Sequence, residues 1–252
     1  MALAVWACAP ATAYGGQSAS LHVGLTPERL GGETTLSLGF QVNASAGAIP
    51  SPLTAIDLHM PRNLGIATSG LGVATCQVAT LEAHGASACP ANSRMGSGSA
   101  LVRFQVGPEL FTETARIAVV AGPEQDGHVR MLVSATGESP VAARILISTV
   151  LLAGQLQISV PLVESLPEGG DIAVVAVQAS LGGNLVYHER SHGRTISYRP
   201  HGITLPASCP RGGFGFSATF SFLDGTQAQA RTAVACPGGA SRAPVARLSP
   251  SR

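Results

Sequence analysis

The chain has 252 residues, of which 45% are hydrophobic and only 4% aromatic, and its formal net charge is +1. This composition excludes a disordered chain and suffices for one large or two ordinary domains with a mainly aliphatic core. All fifteen basic residues are arginines scattered singly along the chain, which excludes the basic patch typical of proteins that bind nucleic acids or anionic membranes.

Residues 1–13 have the composition of a secretory signal peptide. They form an apolar run that ends in Ala11-Thr12-Ala13, a small-x-small pattern typical of a cleavage site. The positively charged segment that usually begins such a peptide is missing, and an alanine-rich strand is the alternative. Cleavage after Ala13 would remove Cys8 and leave four of the five cysteines, an even number that fits an oxidising compartment. We therefore expect a protein that is secreted or associated with the cell envelope.

The four remaining cysteines predict two disulfides. The expected pairs are the local ones, Cys76 with Cys89 and Cys209 with Cys236, although four cysteines permit three connectivities. Chain entropy gives each closed loop a stabilisation of roughly 3 to 3.5 kcal/mol. Because no Cys-x-x-Cys pair occurs, we expect neither a thiolate zinc site nor any other cofactor.

Alternation of apolar and polar residues predicts short β-strands through most of the chain. Glycine and proline separate these segments, and no apolar period of 3.6 residues continues for three helical turns. The predicted strands comprise residues 21–25, 34–42, 56–60, 100–106, 115–121, 128–135, 141–152, 155–160, 172–177, 184–187, 195–198, 214–222 and 226–234.

Two segments of the chain differ from this pattern. Residues 61–99 are rich in glycine, serine and alanine. They predict a long irregular segment that a disulfide between Cys76 and Cys89 stabilises. Residues 141–152 are the most apolar stretch, but they are too few to span a bilayer and they include Arg144. Their β-branched side chains favour a core strand, so no transmembrane segment is predicted.

An aromatic hairpin near the C-terminus is predicted to form the centre of the core. Phe214, Phe216, Phe220 and Phe222 alternate with small or polar residues and therefore share one face of a strand. If residues 223–225 form a three-residue loop with Gly225 left-handed, these phenylalanines lie opposite Val234, Thr232, Ala228 and Thr226 in that order. A two-residue turn would instead place polar side chains against them, so we predict the longer loop.

Many short strands separated by glycine and proline predict an all-β fold, an antiparallel β-sandwich that is immunoglobulin-like or larger and is stapled by the disulfides. This domain is expected to extend over residues 14–237, as one sandwich or as two that divide near residues 122–127. Residues 238–252 are rich in proline, arginine and serine and predict a disordered tail.

One motif points to catalysis. Residues 188–192 match the His-Glu-x-x-His pattern of zinc hydrolases, in which a helix places His188 and His192 one turn apart and Glu189 acts as the base. However, Val186 and Tyr187 favour a strand, and no third ligand follows at the spacing that the pattern requires. We predict a polar hairpin tip at this position, with the zinc site as the alternative.

Two groups of short motifs resemble secreted proteins of high-GC actinobacteria. Residues 89–100 contain a Cys-Pro-x-x-Ser-x-x-Gly segment. Residues 205–210, residues 220–225 and Cys236 form a cysteine-bounded aromatic hairpin with an Asp-Gly turn. The resemblance extends over about residues 53–236. It implies an exported β-sandwich, and it brings no known activity and no catalytic residue with it.

The sequence therefore predicts a non-enzymatic module, structural or binding, of the cell envelope or the secretome. No Gly-x-Ser-x-Gly nucleophile elbow or other complete catalytic set is present, so no catalytic residue is assigned. The expected partner is an extracellular protein or a glycan. The alternatives are a zinc-dependent hydrolase that uses residues 188–192 and a carbohydrate-binding module. The second is weakened because the lone tryptophan, Trp6, lies within the predicted signal peptide.

Overall fold

The computed structural model describes residues 16–44, 48–66, 74–137, 143–163, 172–182, 186–198 and 203–237. Within these residues the fold is all-β and antiparallel, with disulfides joining Cys76 to Cys89 and Cys209 to Cys236. The predicted fold class, all-β and antiparallel with two disulfides, is therefore confirmed. The predicted signal peptide (residues 1–13) and tail (residues 238–252) lie outside the described residues.

The described residues contain one short helix, α1 (Val78–His84), and single 3-10 turns at Ala86–Ala88 and Ala91–Ser93. The strands are Ser18–Thr26 (β1), Glu33–Asn43 (β2), Leu53–His59 (β3), Gly65–Ile66 (β4), Arg94–Val106 (β5), Glu109–Ala121 (β6), Val129–Thr136 (β7), Arg144–Leu152 (β8), Gln155–Ser159 (β9), Ala173–Gly182 (β10), Tyr187–Ser191 (β11), Arg194–Tyr198 (β12), Ile203–Thr204 (β13), Phe214–Phe222 (β14) and Gln227–Val234 (β15). No helix in the described part of the chain is both long enough and apolar enough to cross a membrane.

Thirteen of these strands form one continuous sheet. Its order is β15-β14-β3-β9-β8-β7-β6-β5-β10-β2-β13-β4, and β1 also pairs with β2. On its other side β1 lies against β15, where the Nε2 atom of Gln17 donates to Oδ2 of Asp224 at 3.2 Å. The sheet thus curls until β15 meets β1, so that it is nearly closed. Residues 122–127 lie in the connection between β6 and β7, which pair with each other in this same sheet.

The aromatic hairpin has the predicted register. The structure pairs Phe214 with Val234, Phe216 with Thr232 and Phe220 with Ala228. Gly225 has a φ of 80°, and the backbone N–H of Phe222 donates to the carbonyl of Thr226 at 3.1 Å, as the three-residue loop requires. All four phenylalanines of β14 are buried, and the rings of Phe220 and Phe40 lie with their centroids 5.1 Å apart.

Asp224 stabilises the turn of this hairpin. Its Oδ1 atom accepts hydrogen bonds from the hydroxyl of Thr226 at 2.6 Å and from the backbone N–H of Thr226 at 2.9 Å. These bonds, the one from the hydroxyl most of all, hold the pKa of Asp224 below its ordinary value of 3.8. Because the folded-state pKa is depressed, the stabilisation is fully present above the unfolded-state pKa and is lost as the pH falls through the folded-state pKa.

We expect Asp224→Asn to lower the free energy of unfolding at pH 7 by less than about 1 kcal/mol, because this carboxylate is almost fully exposed and water screens it. The difference from wild type should shrink as the pH falls below 3.8, the ordinary pKa. Urea unfolding at pH 7 and at acid pH measures it, with Glu109→Gln as a control that removes an exposed carboxylate elsewhere. An equal difference at both pH values would show that Asp224 does not act through its charge.

The expectation of an irregular segment over residues 61–99 is wrong at its end, because β5 begins at Arg94, well before Ala100. Gly96 and Gly98, which fall within this predicted irregular segment, lie inside the strand. A β-carbon at Gly98 would collide with the carbonyl oxygen of Gln178 on β10. The glycines are therefore needed for the close approach of β5 to β10.

Helix α1 covers the outer face of the sheet. Leu81 of α1 packs with the Cys76–Cys89 disulfide against Val120 and Leu132, which are cross-strand partners on β6 and β7. The backbone N–H of Cys76 donates to the carbonyl of Ala121 at 2.8 Å. The Cys76–Cys89 disulfide thus lies inside a small second core and holds residues 76–89 against the sheet.

Candidate ligand-binding cavity

The strand register places a continuous row of side chains on the inner face of the sheet. Met131, Thr149, Ile158 and Ile56 are successive cross-strand partners on β7, β8, β9 and β3. The row continues to Phe220 on β14. Because side chains alternate between the two faces of a strand, the face that carries the core phenylalanines also carries the inner residues of β5 to β10.

The interior contains a cavity of about 170 Å³ on the side formed by β5 to β10. Large aromatic rings fill the space beside β14, whereas the wall of the cavity is formed mainly by aliphatic side chains, and several of these are alanines. Ala100 and Ala115, for example, are cross-strand partners on β5 and β6. The wall is almost wholly apolar and includes Ala100, Ala115, Ile117, Ala135, Ile147 and Leu156.

The size of the cavity indicates what it can hold. An apolar protein cavity of about 150 Å³ stays dry and binds benzene. Because benzene has six carbon atoms, a cavity of about 170 Å³ holds an apolar group of roughly six carbon atoms. The cavity therefore fits a small apolar molecule or the end of a longer chain.

Two polar side chains, Thr149 and Glu113, stand out in this apolar wall. The hydroxyl of Thr149 donates to the carbonyl of Met131 at 3.0 Å, so its hydrogen is used within the sheet. Glu113 is only 5% exposed. The cross-strand partner of Glu113 on β5 is Val102, and the partner of Val102 on β10 is Val174. Both valines also line the cavity.

Glu113 is not among the residues predicted from the sequence, because the predicted strand begins at Ala115. In the structure β6 begins at Glu109, and the inward alternation continues back through Glu113 to Phe111, whose ring stacks on Phe104 at 5.5 Å. A single acidic residue in register with the apolar positions of a strand was the signal that could have identified this position.

The His-Glu-x-x-His motif lies on a hairpin and not on a helix. Strands β11 and β12 pair with each other, with His188 opposite Ser197, and the Nδ1 atom of His188 lies 3.0 Å from the Ser197 hydroxyl. His192 and Gly193 form the turn and have φ values of 49° and 76°. In a strand, four residues extend over about 13 Å, so His188 and His192 lack the one-turn spacing that a zinc hydrolase requires.

Within the described residues, no group of three or more His, Cys, Asp or Glu side chains is placed to hold a metal ion. We therefore expect purified protein to contain much less than one zinc per chain, and His192→Ala to leave the metal content unchanged. Elemental analysis after dialysis against zinc measures this, with His22→Ala, at an exposed position of β1, as the control. Stoichiometric zinc that is lost in His192→Ala alone would restore the hydrolase alternative.

Comparison with known proteins adds no function to this geometry. The chain matches no protein-family model, and neither a curated protein nor a solved structure matches it at a significant level.

Proposed function

We propose that this protein is an exported, non-enzymatic binding module whose ligand is a small apolar molecule held in the interior cavity. The observation that carries the proposal is a cavity of about 170 Å³ with an almost wholly apolar wall inside a nearly closed sheet. Two disulfides support export, because disulfides persist in oxidising compartments.

The energetics of packing favour a ligand. Protein interiors are normally packed as densely as organic crystals. At about 24 cal/mol per Å³, a cavity of about 170 Å³ corresponds to roughly 4 kcal/mol of packing. Because an apolar ligand of matching size would supply much of this packing, the cavity supports a binding site.

Titration with 1-hexanol, followed by NMR chemical shifts, tests the proposal. Burial of six methylene groups contributes about 5 kcal/mol, which corresponds to a Kd on the order of 1 mM or below. We expect the shifts to cluster at the residues of the cavity wall.

A matched pair of variants on β7 locates the binding site. Val133 lines the cavity, whereas Val129 lies on the same strand, does not line it and is 38% exposed. Val133→Phe should fill the cavity and weaken hexanol binding by at least about tenfold, while Val129→Phe should leave it unchanged. No saturable binding, or equal binding by the two variants, would refute the proposed site.

A further inference from the structure

We infer that the cavity selects a ligand with an apolar body and a primary amino group, and that Glu113 binds its ammonium. This inference rests on the proposed function, since it names the class of ligand that the same cavity would take. The ligand is identified by its chemistry: its apolar group would pack against the wall of the cavity, and its cation would bind the carboxylate of Glu113.

Glu113 lies in the wall of the cavity at a position where it can contact the head group of a ligand. It is the one charged side chain among the described residues that line the cavity, and it is only 5% exposed. Its cross-strand neighbours Val102 and Val174 are apolar. The next inward residues on β6, Ala115 and Ile117, are apolar as well. A ligand whose chain lies along β6 would therefore meet the carboxylate with its head group.

The chemistry of the two groups favours this pairing. Glu113 has an interaction within the protein, but a carboxylate offers about four lone-pair positions and can accept further hydrogen bonds. An alkylammonium brings three N–H donors and a positive charge. Hydrogen bonds between such ions are shorter and about twice as strong as neutral ones, and a low-dielectric wall strengthens them further.

An anionic head group is disfavoured in the cavity, because it would lie beside the carboxylate of Glu113. The nearest alternative for an anion is a groove next to α1 that is lined by Arg144 and Glu82 and shares Pro161, Leu162 and Val163 with the cavity wall. Arg144 already donates from Nη1 to the carbonyl of Glu82 at 2.9 Å, and so helps to hold α1 on β8. A fatty acid with its carboxylate in this groove is thus the competing result.

Three six-carbon probes separate these possibilities: hexylamine, 1-hexanol and hexanoate. Titrated into the full chain at pH 7, hexylamine should bind at least about tenfold more tightly than hexanoate, with hexanol between them. In the wild-type complex, NMR contacts from the carbon next to nitrogen should reach Val102 and Val174, and contacts from the terminal methyl should reach Ile117.

Two variants of β6 complete the experiment. Glu113→Gln keeps the shape of the side chain, and it should weaken hexylamine about tenfold while changing hexanol less than about twofold. Glu109→Gln removes an exposed carboxylate at the start of the same strand and should change neither. The NMR contacts come from wild-type protein, so they test the inference even if Glu113→Gln does not fold.

The outcomes distinguish this inference from the proposed function. If hexanol binds in the cavity but hexanoate binds as tightly as hexylamine, or if Glu113→Gln leaves hexylamine binding unchanged, the amine inference is wrong and the binding function stands. If none of the three probes binds, both are wrong.

Discussion

Replacement of Phe220 by alanine should lower the free energy of unfolding by about 3–5 kcal/mol, the usual range for a buried phenylalanine. Phe220 is fully buried, and its ring packs against Phe40 of β2 at 5.1 Å. Phe40 also lines the cavity, so the deleted ring leaves additional space next to it. Because the surrounding sheet is hydrogen-bonded on both sides of β14, it is poorly able to collapse into the space.

Urea unfolding measures this loss, and Leu223→Ala is the control. Leu223 lies in the turn of the same hairpin and is 46% exposed, so its truncation should change the free energy of unfolding by less than about 0.5 kcal/mol. Similar effects of the two substitutions would mean that the aromatic hairpin is not the centre of the core.

Loss of the Cys76–Cys89 disulfide should destabilise the protein more than loss of Cys209–Cys236. Chain entropy alone predicts the opposite order, because the closed loops have sequence separations of 13 and 27 residues. However, Cys76 is fully buried, and its disulfide packs with Leu81, Val120 and Leu132. The second disulfide joins the ends of a hairpin that backbone pairing already holds together.

The double alanine variants of the two pairs measure this difference directly. We expect a loss of roughly 4 kcal/mol or more for Cys76→Ala with Cys89→Ala, since about 3 kcal/mol of loop entropy is combined with lost packing. For Cys209→Ala with Cys236→Ala we expect at most about 3.5 kcal/mol. The reverse order would show that loop length, and not burial, determines how much each disulfide contributes.

The sequence allowed the local parts of the fold to be predicted. The alternation of phenylalanines and the Asp224-Gly225 pair defined both the strand and its turn, and Gly225 has the positive φ that the predicted loop needs. In the same way, the β-branched residues of β8 predicted a strand in the most apolar stretch of the chain. These features depend on neighbouring residues, so a pattern in the sequence is sufficient.

The long-range features could not be predicted in this way. The contact between β1 and β15 that nearly closes the sheet joins the first and last strands of the described residues, and no local pattern encodes it. The cavity depends on which small side chains meet across strands, such as Ala100 and Ala115. Glu113 was missed for the same reason, because its importance comes from the apolar surroundings that Val102 and Val174 provide.

Xenon uptake by crystals of the protein tests whether the interior binds apolar molecules, because xenon enters dry apolar cavities and needs no specific head group. We expect xenon in the interior, against Ile117, Val133 and Ile147, and its loss in Val133→Phe. Crystals that take up no xenon inside the sheet would rule out the proposed binding cavity.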